Sequence, residues 1–227
     1  MAFTRYLVAI CDVLGFSNLV ARESLERIHQ RYSELLGRLE PSPIFLIDSK
    51  TGERKIVVNQ IVFSDTVLFW APAGNEMELL PTMLGQLMAA SVGSLPLRIG
   101  LAFGECVIDR TKHIYIGQPI VDAYRTEQAQ NWMGGAFHPS CWRHKGFLEF
   151  LCKDFERAAV RYPVPIVPGR EALVPQLEYA LNWPPLGKVI FYPEHLATQE
   201  ARAPERDKAK WQNARRFYEA WRARPSS

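Results

Sequence analysis

The sequence predicts an α+β fold in which one mainly antiparallel sheet packs against helices, and three observations carry that expectation. Short β-rich runs alternate with stretches of helical periodicity in the order strand, helix, hairpin, helix, hairpin, helix, strands. The breaks between neighbouring β-rich runs are short and rich in turn residues, which suits hairpins. With 227 residues, 48% of them apolar, the chain has enough material to bury a substantial core in one domain.

Tyr6 to Cys11 is an almost wholly apolar run, the pattern of a central strand covered on both faces. After the Gly15 turn, Leu25, Ile28, Tyr32, Leu35, Leu36 and Leu39 recur at helical spacing up to Pro41. Ile44 to Ile47, Ile56 to Phe63 and Thr66 to Trp70 read as strands, broken by Asp48 to Gly52 and by the tight turn Ser64-Asp65. Met77, Leu80, Met83, Leu84, Leu87 and Met88 form a second helical stripe whose methionines read as core filling. Two strands, Leu97 to Phe103 and Glu105 to Ile108, are expected around Gly104, followed by a strand end at His113 to Ile116 and a helix after Gly117. The motif-bearing part spans about residues 5–130, and about 146–227 read as a C-terminal elaboration of the same domain. There Pro163, Pro165 and Pro168 punctuate a candidate strand and Val189 to Tyr192 suggest another. Trp211, Ala214, Tyr218 and Trp221 suit one face of a final helix.

The 27 basic and 24 acidic residues leave a formal charge of +3, compatible with binding phosphate but too small to call for nucleic acid. Cys11, Cys106, Cys141 and Cys152 are scattered, without zinc-ligand spacing or a disulfide framework. No apolar segment is long enough for a signal peptide or a membrane span. The expectation is a soluble, cytoplasmic chain with reduced thiols, with neither nucleic acid nor membrane among its partners.

Three segments carry candidate chemistry. Asp12 ends the first strand, and Gly15-Phe16-Ser17 then opens a helix, an arrangement that offers backbone N–H groups to a phosphate. Taken alone, Asp12 reads more readily as a helix cap. Asp65 sits at a hairpin tip, where a solvated turn aspartate is the plain reading. Two carboxylates at adjacent strand ends, however, can bridge two Mg²⁺ or Mn²⁺ ions about 4 Å apart. The third segment is Tyr115-Ile116-Gly117 with Arg125 eight residues after the glycine, which offers a forked cationic donor to phosphate or an ordinary ion pair with Asp122 or Glu127.

Taken in order, Asp12-x-x-Gly15-Phe16-Ser17, Ser64-Asp65, Arg98-Ile99-Gly100 with Gly104, and Gly117 to Arg125 resemble the class III nucleotidyl cyclases, over about the first 130 residues. The resemblance implies a ferredoxin-like core of split βαβ units. It also implies two cations, Mn²⁺ or Mg²⁺, held by Asp12, Asp65 and the Val13 carbonyl, with substrate phosphates at Gly15, Phe16 and Ser17. Arg125 becomes the residue that stabilises the transition state, and a head-to-tail homodimer with shared sites is implied because the chain holds one catalytic domain.

Departures from the family pattern redirect the substrate. The lysine and aspartate with which purine cyclases read the base are Ile61 and Ile114 here, and the asparagine four residues before the arginine is Val121. Apolar residues cannot hydrogen-bond a purine edge in that way. Together with Pro163 to Pro168 and Ala180 to Pro184, this is similar to the pyrimidine cyclases of bacterial Pycsar antiphage defence. Those enzymes make cyclic UMP or cyclic CMP for a TIR-domain or transmembrane effector. Arg98, Tyr115, Asn59 and Arg54 are the base-reading candidates. Three alternatives stay open: a cytidylate cyclase, an inactive cyclase-like nucleotide-binding domain, and a palm-like nucleotidyltransferase.

Overall fold

Side chains alternate between the two faces of a strand, and in the first strand of this chain the two faces serve different purposes. The computed structural model describes residues 4–37, 44–47, 54–74, 77, 79–143, 158–186 and 192–224. Leu39, Pro41, the Asp48 to Gly52 break, Cys152, Val189 to Phe191 and the side chain of Arg54 lie outside the described residues.

The elements are β1 (Thr4–Val13), α1 (Phe16–Val20), α2 (Leu25–Gly37), β2 (Ile44–Ile47), β3 (Arg54–Phe63), β4 (Thr66–Pro72), α3 (Leu79–Ser91), β5 (Leu97–Asp109), β6 (Ile114–Ile116), α4 (Gln118–Ala129), β7 (Gly134–Phe137), α5 (Pro139–Trp142), β8 (Ala159–Arg161), β9 (Tyr179–Leu181), α6 (Tyr192–Arg202) and α7 (Glu205–Arg222). The strands join in the order β2-β3-β4-β1-β5-β7-β9-β8, with β6 paired to the far half of β5. Every pairing is antiparallel except β5 with β7, which are parallel across the α4 connection. This is the expected α+β architecture.

Leu7, Ala9, Cys11 and Val13 of β1 join Val67, Phe69 and Ala71 of β4 and Leu97, Ile99 and Leu101 of β5 in the main core. Helix α3 closes that core with Leu80, Met83, Leu84, Leu87 and Met88, so the methionine stripe does fill it. The opposite face holds a smaller cluster of Val8, Ile10, Leu68, Trp70, Ala102 and Cys106, covered by Ala123 and Ile120 of α4. By alternation Asp12 and its cross-strand partner Arg98 belong to this second face.

Gly100 lets α4 come close. A Cβ there would stand 2.1 Å from the Ala123 carbonyl oxygen and 2.5 Å from the Glu127 amide nitrogen, so no larger residue fits without moving the helix.

Four expectations are corrected. The two strands around Gly104 are one, β5, which runs through the glycine at φ +156°, where an added Cβ would meet the Pro119 ring. Pro163 to Pro168 form no strand beyond an isolated bridge between Ile166 and Gln130, as prolines lack the ladder donor. Tyr192 opens helix α6 and ends no strand. On α7 the anchor is Phe217, fully buried with its ring 5.0 Å from Trp132 and 4.9 Å from Tyr162, while Tyr218 packs at the margin.

Gly100→Ala is expected to lower the free energy of unfolding by about 1–3 kcal/mol through overpacking. Gly93→Ala, where a Cβ meets nothing within 4 Å, should stay within about 0.5 kcal/mol of the parent in the same urea titrations.

Candidate active site

Asp12 is the last residue but one of β1, and Asp65 stands in the turn between β3 and β4. The two strand ends are tied directly, because the Val13 amide donates to the Asp65 carbonyl oxygen at 3.2 Å and Asp12 is registered opposite Thr66. Ser64 takes φ +55° to make the turn that tight. Burial pushes the Asp12 carboxyl above the usual aspartate range, Arg98 pulls it back, and the charge of Asp65 pushes it up again.

Arg98 occupies the floor of the site. Its guanidinium donates to Glu127 on α4 through Nε and Nη2, to the Gln130 carbonyl at 3.2 Å and to Asp12 Oδ2 at 3.4 Å. With the Arg98 side chain 9% exposed and Glu127 1%, this is a buried ion pair with one arm reaching the candidate metal carboxylate. Gln130 extends the network by donating to the Ile99 and Thr126 carbonyls and accepting from the Trp132 indole. Arg98 is among the base-reading candidates, and its donors in the structure go to Glu127, the Gln130 carbonyl and Asp12.

Gly15 caps α1 in the left-handed conformation, φ +76° and ψ +20°, which favours glycine. Helix α1 is five residues long, so its dipole is small, and any hold on phosphate through Phe16 and Ser17 falls to individual amides. The Phe16 ring packs edge-on to Tyr32 of α2 at 5.8 Å.

Arg125 lies on the exposed side of α4. The ion pairs that would make it a surface residue of no consequence are absent among the described residues: Asp122 accepts from Gln118 at 2.8 Å and faces His138 at 3.7 Å, while Glu127 is held by Arg98. Asn59 and Tyr115 both lie near Trp70: Asn59 is registered opposite it, and the Tyr115 ring sits 5.4 Å away. Asn59 accepts from Arg110 at 3.0 Å, a cation the sequence reading did not select. Trp70 is registered with Val8, four residues from Asp12 along β1. At about 3.4 Å per residue that separates the two groups by roughly 14 Å.

The residues present fit divalent cations of the hard, oxygen-preferring kind. Two carboxylates on adjoining strand ends repel one another, with a guanidinium arm 3.4 Å from Asp12 as countercharge. Beside them the Tyr32 hydroxyl is buried without a hydrogen-bond partner, and burial and the charge of Asp65 together push its pKa up. No cluster of three or more His, Cys, Asp and Glu side chains forms among the described residues. The remaining ligands would therefore be the Val13 carbonyl, water and substrate oxygens. Sequence reasoning missed Tyr32, Glu127 and Lys210; the last lies close enough to Asp12 to lower its pKa.

No protein-family model matches the chain, and no curated protein matches it. Solved structures do. The catalytic core of a rhodopsin-guanylyl cyclase with converted specificity, in complex with ATPαS, superposes with a TM-score of 0.51 at 12% identity, covering 79% of this chain and 94% of that one. The chain has the fold of a nucleotide cyclase catalytic core. An adenylate/guanylate cyclase/hydrolase from Silicibacter pomeroyi matches with a TM-score of 0.48 at 14% identity, over 80% of this chain and 96% of that one. The guanylyl cyclase Cya2 matches with 0.43 at 13% identity, over 79% and 92%. In this fold, Asp12 and Asp65 stand at the ends of neighbouring strands and Arg125 stands on the exposed side of α4, the helix that packs on β1 and β5.

Burial outweighs the attraction of Arg98 and pushes Glu127 up to about 7 from the ordinary 4.5. Between those two values the folded protein keeps a proton that the unfolded chain has released. The stabilisation is complete below the unfolded value and is lost as pH rises through the folded one. In metal-free protein, unfolding free energy should therefore fall from about pH 5 to about pH 8 more steeply in the wild type than in Glu127→Gln. Urea titrations at the two pH values measure the difference.

Proposed function

We propose that the chain is a pyrimidine nucleotide cyclase that converts UTP to 3′,5′-cyclic UMP and pyrophosphate. The observation that carries the reading is the tie between Asp12 and Asp65 at adjoining strand ends, by the Val13 to Asp65 hydrogen bond, on a cyclase fold. When bound, two Mn²⁺ or Mg²⁺ ions would lower the pKa of the ribose 3′-hydroxyl and neutralise charge on the triphosphate. Asp12, Asp65 and the Val13 carbonyl would hold them. Arg98 restrains Asp12 through its Nη2 arm, and the buried Tyr32 hydroxyl lies close enough to Asp65 to feel its charge. The 3′-oxygen forms its bond to the α-phosphorus as the bond to pyrophosphate breaks, and Gly15, Phe16 and Ser17 offer amides to the departing phosphates.

Arg125 acts from the partner subunit of a head-to-tail homodimer, adding charge stabilisation to the transition state. Two features support the dimer. Arg125 is exposed and makes no ion pair among the described residues. Phe63 (82% exposed), Val62, Ile116, Val121 and Tyr124 also leave apolar area uncovered on the β3–β4 hairpin and around α4. The separation of Asn59 and Tyr115 from Asp12 favours reading of the base across the same interface. Ile61, Ile114 and Val121 favour a pyrimidine over a purine, with CTP as the alternative to UTP. The cyclic product would signal to a TIR-domain or transmembrane effector in antiphage defence.

Incubation of the chain with each of the four nucleoside triphosphates and Mn²⁺, with product masses measured, tests the proposal. Cyclic UMP is expected, Asp65→Ala and Arg125→Ala should each lower its rate by at least about a hundredfold, and mixing the two inactive variants should restore part of it. No cyclic product from any nucleotide would sink the enzyme reading, and a linear product would point to nucleotidyl transfer.

A further inference from the structure

The C-terminal hairpin of α6 and α7 does more than cover the core. Its first α7 turns lie against α1, where Arg206 Nη2 donates to Asn18 Oδ1 at 3.0 Å. Between them is a cleft of about 200 Å³, lined by Leu14, Gly15, Arg22, Arg202, Lys210 and Trp211 among others. At roughly 30 Å³ of liquid volume per water, that is room for about seven waters, or for a diphosphate. A neighbouring cavity of about 210 Å³ shares Leu14, Gly15, Asn18 and Arg22 with it and adds Glu23 and Arg31.

The charges in the cleft are unbalanced. Asp207 is its acid, and that carboxylate already holds Lys210 at 2.7 Å and Arg206 at 3.7 Å. Lys210 has three donors and gives one to Asp207. Arg22 and Arg202 have no ion-pair partner among the described residues, although each carries a permanent charge and a planar fork suited to phosphate. A cleft with three cations and one carboxylate in its wall keeps a net positive charge, and that charge concentrates a small polyanion. Gly15 forms the wall it shares with the Asp12 turn, so the cleft opens beside the phosphates of a nucleotide bound there.

We propose that this cleft is a diphosphate site, in which Arg22, Arg202 and Lys210 take the leaving pyrophosphate from the same chain that supplies Asp12 and Asp65. The C-terminal hairpin is then part of the reaction's exit path. The source of the diphosphate rests on the cyclase reading, while the site itself does not.

Calorimetric titration of the full chain with pyrophosphate in EDTA isolates the cleft, because without cations the two carboxylates repel the ligand. The wild type should bind, and Arg202→Ala and Lys210→Met should each weaken binding by about tenfold or more. Lys210→Arg and Asp65→Ala should retain it. Arg202 is exposed, so its removal disturbs no packing, and thermal melts of each variant confirm the fold. No binding, unchanged affinity in Arg202→Ala and Lys210→Met, or equal affinity for orthophosphate would overturn the diphosphate site and leave the cyclase reading to the nucleotide assay. Cleft-dependent binding in a chain that forms no cyclic nucleotide would uphold the site and remove the proposed source.

Discussion

The Arg98 guanidinium is the interaction on which the site depends, because it joins a central strand to the helix above it and reaches the first carboxylate at the same time. Its bonds to Glu127 fix α4, which carries Arg125, and its remaining arm restrains Asp12. A buried pair of this kind adds little net stability, since desolvation offsets most of the attraction. Breaking it is another matter, because one uncompensated charge would stay buried at a cost of about 3–5 kcal/mol. The pair therefore acts chiefly as a geometric constraint: α4 has one depth and one rotation at which Glu127 meets Arg98. Gly100 removes the side chain that would otherwise hold the helix away.

The placement of Asp12 and Asp65 at adjoining strand ends was legible in the sequence because both stand where an apolar run stops. The α+β class was legible for a similar reason, since strand and helix periods differ and β1 to α4 keep them cleanly. The contacts of Arg98 were not legible because a charged residue on a strand face looks the same in sequence whether it meets a ligand or a helix. Only the register with Asp12 and the position of Glu127 separate the two. The single strand through Gly104 was hidden because a glycine inside a β-rich run signals a break as readily as a bend. Tyr32 fell inside a helical stripe, where its ring belongs to the core and its hydroxyl does not.

The C-terminal region was the least legible, and the reason is physical. Its anchors are aromatic contacts between segments far apart in the chain, Trp132 with Tyr162 and Phe217, and no local pattern encodes such pairs. Lys210 and Arg202 look like an ordinary solvated helix face until α7 is seen to dock against α1. A hairpin held this way brings cations to the β1 turn without altering the strand ends themselves.

The central claim is that Asp12 and Asp65 form one site for two divalent cations. Its most direct test is the number of Mn²⁺ ions bound per chain in the presence of 3′-deoxy-UTP, which cannot cyclise, counted by electron paramagnetic resonance of the free ion. Two ions are predicted for the wild type, with tight binding of both lost in Asp12→Asn and Asp65→Asn. Unchanged Mn²⁺ binding in the two variants would contradict the account.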